Sequence, residues 1–126
     1  MFNIGSDYTR DEIYAIVGGS KQTYLPTKEG VVVATCLKID LNPRAPNVVL
    51  CGNGKLIARA GDLLANQRTD VPVFLKRAVN HWEYQGKFAV ASSHTTGTEF
   101  ENLIAGSRRD PSTVSRVILL QPVHHT

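Results

Sequence analysis

Val71-Pro-Val-Phe-Leu-Lys-Arg77, Ala78-Val-Asn-His-Trp-Glu-Tyr-Gln-Gly86 and Lys87-Phe-Ala-Val90 together form the stretch whose reading decides the fold. β-branched and aromatic residues fill these runs and short polar connections divide them. That pattern predicts antiparallel strands over Val71–Arg77, Trp82–Gln85 and Lys87–Ser92. Pro72 fits only the first residues of a strand or a sheet edge, because it has no amide to give to a ladder. The strands end in Lys76-Arg77 and Trp82-Glu83-Tyr84, so charge, aromatic surface and hydrogen-bonding groups gather around one turn.

Upstream, Val31-Val-Val-Ala-Thr-Cys-Leu-Lys-Ile39 is nearly continuous in apolar residues and predicts a strand buried on both faces. Asn42-Pro43-Arg44-Ala45-Pro46 ends it, since two prolines in so short a span exclude helix and ladder alike and leave a rigid loop. Val48–Cys51 resumes as a strand, and Gly52-Asn-Gly54 turns it. Leu56, Ile57, Ala60, Leu63 and Leu64 then recur at helical spacing, predicting a helix at about 55–67 with Gly61 as its weak point. Thr9-Arg-Asp-Glu12 and Thr98-Glu-Phe-Glu101 both read as capping boxes opening short helices, the first ending at Gly18-Gly19. Ser115–Gln121 is the last predicted strand. Short helices around about six strands argue for an α+β domain, a curled, mostly antiparallel sheet or small open barrel.

The chain has 126 residues, 42% of them apolar and 20% charged. That size and composition describe a single soluble domain over residues 1–126. The N-terminus lacks a basic region followed by an apolar one, and no apolar run approaches membrane-spanning length, which points to the cytoplasm. Cys36 and Cys51 sit inside apolar runs, where a thiol behaves as a small buried hydrophobe, and their separation fits no zinc-binding pattern. His94 and the pair His124-His125 are isolated, so neither metal nor cofactor is expected. The net charge is +3, and the span Arg44–Lys87 carries seven basic against three acidic residues. A local surplus of this kind attracts phosphate-bearing partners.

Several motifs fit one family. Gly18-Gly19 before an exposed loop, Leu25-Pro26, Gly30 opening a strand, Asn42-Pro43-Arg44-Ala45-Pro46, Gly52-Asn-Gly54 opening a helix, and Val71–Arg77 with Trp82–Gly86 together resemble small modules found beside HNH-type nucleases in modification-dependent restriction systems. Those modules are similar to the PUA-like superfamily, which includes SRA, EVE, YTH and ASCH domains. The likeness covers roughly residues 8–92. It implies a PUA-like pseudo-barrel with two or three short flanking helices, and binding of nucleic acid, DNA ahead of RNA, with a modified or flipped base read in an aromatic-lined pocket. A separate nuclease subunit is the partner it implies.

Physical roles can be assigned on the residues themselves. Trp82 and Tyr84 offer flat surfaces on which a base can stack, although side chains two apart on a strand share a face and would equally fill a core. Lys76 and Arg77 at a strand end can meet phosphates, Arg in a bidentate fork and Lys as a point charge. Asp40, Asn42 and Arg44 put a carboxylate, an amide and a guanidinium on the proline-fixed loop, where they can read a base edge. Tyr24 on its exposed loop supplies a second wall, and His81 adjoins Trp82. No hydrolase signature occurs. The enzymatic alternative is a metal-independent nuclease using Lys76, Arg77, His81 and Tyr84. A third is a subunit that binds a protein or a free nucleotide.

Overall fold

In the computed structural model, which describes residues 1–123, the stretch that decides the fold becomes one long hairpin. Strand β6 (Val71–Ala78) turns through Val79 and Asn80 into β7 (His81–His94), with Asn80 at φ +55°, a conformation asparagine tolerates. Where the sequence predicts two strands, over 82–85 and 87–92, β7 is one. Gly86 is the reason. At φ +109° it sits in a β-bulge instead of a turn, so that Phe74 faces Tyr84, Val73 faces Gly86, and Gln85 is left without a counterpart. The extra residue switches faces along the strand. Trp82 and Tyr84 pack with Phe74, whereas Phe88 packs with Val71 and Val73 on the other side.

Six further strands join the sheet or lie beside it. The single strand predicted over 31–39 divides: β3 (Val31–Val32) pairs with β2 (Thr27–Lys28) in a separate ribbon, and β4 (Thr35–Leu37) enters the main sheet. With β5 (Val48–Gly52) and β8 (Val114–Pro122), the order is β4-β6-β7-β8-β5, and β1 (Asp7–Tyr8) lies against the first part of β7. All pairs are antiparallel except β4 and β6, which run in the same direction in the register Leu37 to Leu75. The architecture is α+β, a mixed six-stranded sheet with three helices among the described residues. Its edges β4 and β5 do not pair with each other.

Helices cover both faces of this sheet. α1 (Arg10–Val17) opens as predicted, with the Thr9 hydroxyl accepting from the Glu12 amide at 3.1 Å and the Glu12 carboxylate accepting from the Thr9 amide at 2.9 Å. α2 (Lys55–Asn66) lays Leu64 into the core made by Val49, Val73, Leu75 and Ile118. Gly61 is what allows that approach: a Cβ there would lie 3.0 Å from Cys51 Sγ, so the residue that weakens the helix also lets it lie close to β5. On the opposite face, α1 and α3 (Thr98–Ile104) seal different ends, Ile13 beside Phe74 and Trp82, Phe100 and Leu103 beside Val48 and Val117. The second capping box does not form. Gly97 occupies the cap at φ +96° and Thr98 is already helical, with no side-chain cap bond. Both cysteines are buried free thiols, as expected. No described helix is long and apolar enough to cross a membrane. The isolated histidines His124 and His125 lie outside the described residues.

Candidate functional site

Because β4 and β5 do not pair, a gap remains between the sheet's two edges, and residues from both line the cavity that opens there: Cys36 from β4, Leu50 and Gly52 from β5. The 20–25 segment and α2 add further walls, and the cavity holds about 960 Å³. The proline-bearing loop between β4 and β5 supplies Leu41 and Asn42. Leu56, 80% exposed, and the half-exposed Ile57 stand at its lip, where the first turn of α2 begins. Gly54 caps that helix without a side-chain acceptor, so the positive end of its dipole is not offset by an acidic cap.

The charge of the lining is one-sided. Arg10, Lys21, Lys38, Arg59, Lys76 and Arg109 contribute to it, and no Asp, Glu or His does among the described residues. Lys21 is paired with Asp11 at 3.0 Å; the other five have no ion-pair partner among the described residues. Arg10 and Arg109 have structural duties as well. Arg10 donates to the Ser20 and Thr23 carbonyls at 2.9 and 2.8 Å, holding the wall segment, and Arg109 donates to the Leu41 carbonyl at 3.0 Å. Lys38, Arg59 and Lys76 make no side-chain hydrogen bond or ion pair among the described residues.

Of the residues singled out in the sequence, the structure brings four to this cavity: Tyr24, Asn42, Lys76 and Trp82. Trp82 and Asn42 are already engaged within the fold. Trp82 is buried, and both the Arg10 guanidinium and the Lys76 ammonium stand over its ring, 5.3 and 5.7 Å from the centroid. It is a platform for cations instead of an open stacking surface. Its indole N–H and the Nε of Arg10 are buried donors without an acceptor. Asn42 is occupied by the fold, its side-chain oxygen accepting from the Leu50 amide at 2.9 Å and its nitrogen donating to the Lys38 carbonyl at 3.2 Å. Tyr24 donates to the Ile57 carbonyl at 3.3 Å.

The other five lie elsewhere. Asp40 and Arg77 line a smaller recess of about 370 Å³ that shares Lys38 and Lys76 with the cavity. Arg77 is the unmatched residue of a second bulge, and its guanidinium donates twice to one Glu83 carboxylate oxygen, at 3.0 and 2.7 Å. That pairing holds the Glu83 carboxyl below the usual carboxylate range. His81 is exposed, its Nδ1 3.8 Å from the Asp7 carboxylate, and Arg44 lines neither space. Tyr84 belongs to a sealed aromatic cluster with Phe2 and Phe74, at centroid separations of 5.3 and 5.2 Å. Its side chain fills the core, the alternative that strand alternation left open.

Sequence reasoning missed Arg10, Lys38, Arg59 and Arg109. The charge surplus over Arg44–Lys87 misdirected it, because only Arg59 and Lys76 of that span reach the cavity. The helical spacing that placed Leu56 and Ile57 on the core face of α2 also hid that the first turn projects past the sheet. Lys38 carried one available signal, a cation ending an apolar run. Its neighbour Lys76 was beyond reach without the parallel register.

Chemically, the cavity is suited to holding an anion and poorly equipped to move a proton. Burial pushes the Cys36 thiol up to about 12 and raises the Tyr24 phenol well above its ordinary value. The Cys51 thiol behind Tyr24 is raised for the same reason. No cluster of metal-ligating side chains occurs among the described residues. Residues 7–118 match the profile of a protein family described as a domain of unknown function, DUF6697. No curated protein and no solved structure matches the chain.

Proposed function

The chain belongs to the DUF6697 family, which is defined without an assigned activity, and from the geometry of the cavity we propose that it binds nucleic acid, DNA foremost, by admitting an unstacked nucleotide. The observation that carries this reading is the lining of six Lys and Arg residues without a single carboxylate. Cations in a concave, partly apolar space repel one another, and a phosphate-bearing ligand relieves that repulsion. Lys38, Arg59 and Lys76 meet the phosphates, while Tyr24, Leu50 and Leu63 contact the base, and their apolar surface leaves room for a base carrying an alkyl modification. In this reading the gap between β4 and β5 is the open seam of a PUA-like pseudo-barrel, and a separate nuclease subunit is the proposed partner.

Binding is favoured over cleavage because hydrolysis needs a group that can take or give a proton near neutral pH. The cavity's titratable hydroxyl and thiol are pushed away from that range, and His81 and Tyr84, which a nuclease reading would employ, stand outside it. A second reading, a free nucleotide as ligand, has one specific observation behind it: about 960 Å³ is the size of a small-molecule pocket.

Anisotropy titrations with labelled single- and double-stranded oligonucleotides test the proposal. Affinity is expected to fall steeply between about 50 and 200 mM salt, as release of condensed counterions requires. No binding to any DNA or RNA at about 50 mM salt overturns it. Incubation with and without divalent metal should leave every substrate intact.

A further inference from the structure

Parallel strands bring equivalent ends together. β4 and β6 run in the same direction in the register Leu37 to Leu75, where β4 ends, so Lys38 and Lys76, each one residue further on, follow that last pair at neighbouring positions, Lys76 still within β6. Like charges placed directly opposite one another on neighbouring strands disfavour the pairing unless something neutralises them. Neither lysine has an ion-pair partner among the described residues. These two residues also form the boundary between the large cavity and the recess, since both spaces are lined by both of them. The recess has a different character. It holds the Asp40 carboxylate, which has no ion-pair partner among the described residues, and Arg77, whose head is engaged by Glu83.

We infer that the ligand is a single strand at least two nucleotides long, one nucleotide in the cavity and the next in the recess, with the phosphodiester between them held by Lys38 and Lys76. This rests on the reading of the cavity as a nucleic-acid site and adds to it the strand state and the minimum length. A free nucleotide would satisfy the cavity and leave the recess without purpose. In the recess Asp40 supplies the carboxylate acceptor that the cavity lacks, so the group placed beside it offers a hydrogen-bond donor, as the exocyclic amine of cytosine does. A paired duplex cannot send two successive nucleotides into separate concave spaces without giving up its base pairs.

The test uses the full chain with deoxycytidine 3′-monophosphate, the dinucleotide dCpdC, a 12-nucleotide single strand and its blunt duplex, with ribonucleotide counterparts run in parallel. The dinucleotide is expected to bind at least about tenfold more tightly than the mononucleotide, and the single strand more tightly than the duplex. Asp40→Ala, at an exposed loop position, should cut that gain about fivefold while changing mononucleotide affinity less than about twofold, and Lys38→Ala should weaken both ligands. Equal affinity for mononucleotide and dinucleotide, or a preference for the duplex, overturns the inference and leaves the cavity reading standing. A gain that Asp40→Ala does not reduce removes the recess from the site. Failure of every ligand to bind takes the cavity reading down first, and the inference with it.

Discussion

Lys76 and Arg77 are adjacent in sequence and both line the recess, but only Lys76 reaches the cavity. Lys76 faces the cavity, stands over Trp82 and has no acidic partner; Arg77, in the bulge beside it, is closed off by Glu83, which Gln85 also contacts. The same contrast holds around them. At the packed end of the hairpin, Phe2, Tyr8, Phe74 and Tyr84 meet in edge and tilted contacts and satisfy one another. Between β4 and β5, cations converge with no carboxylate among them, and two buried donors lack acceptors. The first region holds the fold together by packing, and the second is the one we propose for binding.

That division can be broken by mutation. The largest effect is expected from Phe74→Ala, which empties a fully buried position in the aromatic cluster and should cost about 3–5 kcal/mol in a urea unfolding titration. A loss below about 1 kcal/mol would mean the packed end is not what holds the hairpin. Asn42→Ala should cost about 1–3 kcal/mol, because it strands the Leu50 amide in a buried position. Asn42→Asp, which keeps the acceptor, should recover part of that. Lys76→Ala should leave the unfolding free energy within about 0.5 kcal/mol of wild type and weaken single-strand binding about tenfold, whereas Arg77→Ala should change binding less than about threefold. The smallest signal is chemical. With the Cys36 thiol pushed up to about 12 and Cys51 raised as well, both folded-state thiols stay protonated at neutral pH, so a thiolate-specific reagent should react only after denaturation.

Local patterns made much of the fold readable. The α1 capping box, the strands bounded by glycine and proline, and the amphipathic helix at 55–66 all rest on interactions within a few residues. Gly86 shows where that kind of reasoning ends. A glycine between two apolar runs reads equally as a turn or as a bulge, and only pairing with β6 decides, which also determines that Phe88 faces away from Tyr84. The division of 31–39 into two strands has the same origin, since β-branched residues favour extended backbone without naming a partner. The site was harder. Tyr24 and Trp82 were found from their chemistry, but Lys38 and Lys76 become a pair only through the one parallel register in the sheet. Arg10 and Arg109 come from opposite ends of the chain, so counting charge along sequence could not assemble them.

The most direct test compares the salt dependence of single-strand binding for two double variants that remove the same net charge. Lys38→Ala with Lys76→Ala strips the boundary of the cavity; Arg44→Ala with Lys87→Ala strips two cations that line neither the cavity nor the recess. For single strands each phosphate no longer neutralised lowers the slope of log affinity against log salt by about 0.7, so the first variant, which loses the one phosphodiester the two lysines share, should lose about 0.7 from the slope while the second keeps the wild-type value. Equal slopes in the two variants, or a larger loss in the second, would contradict the account.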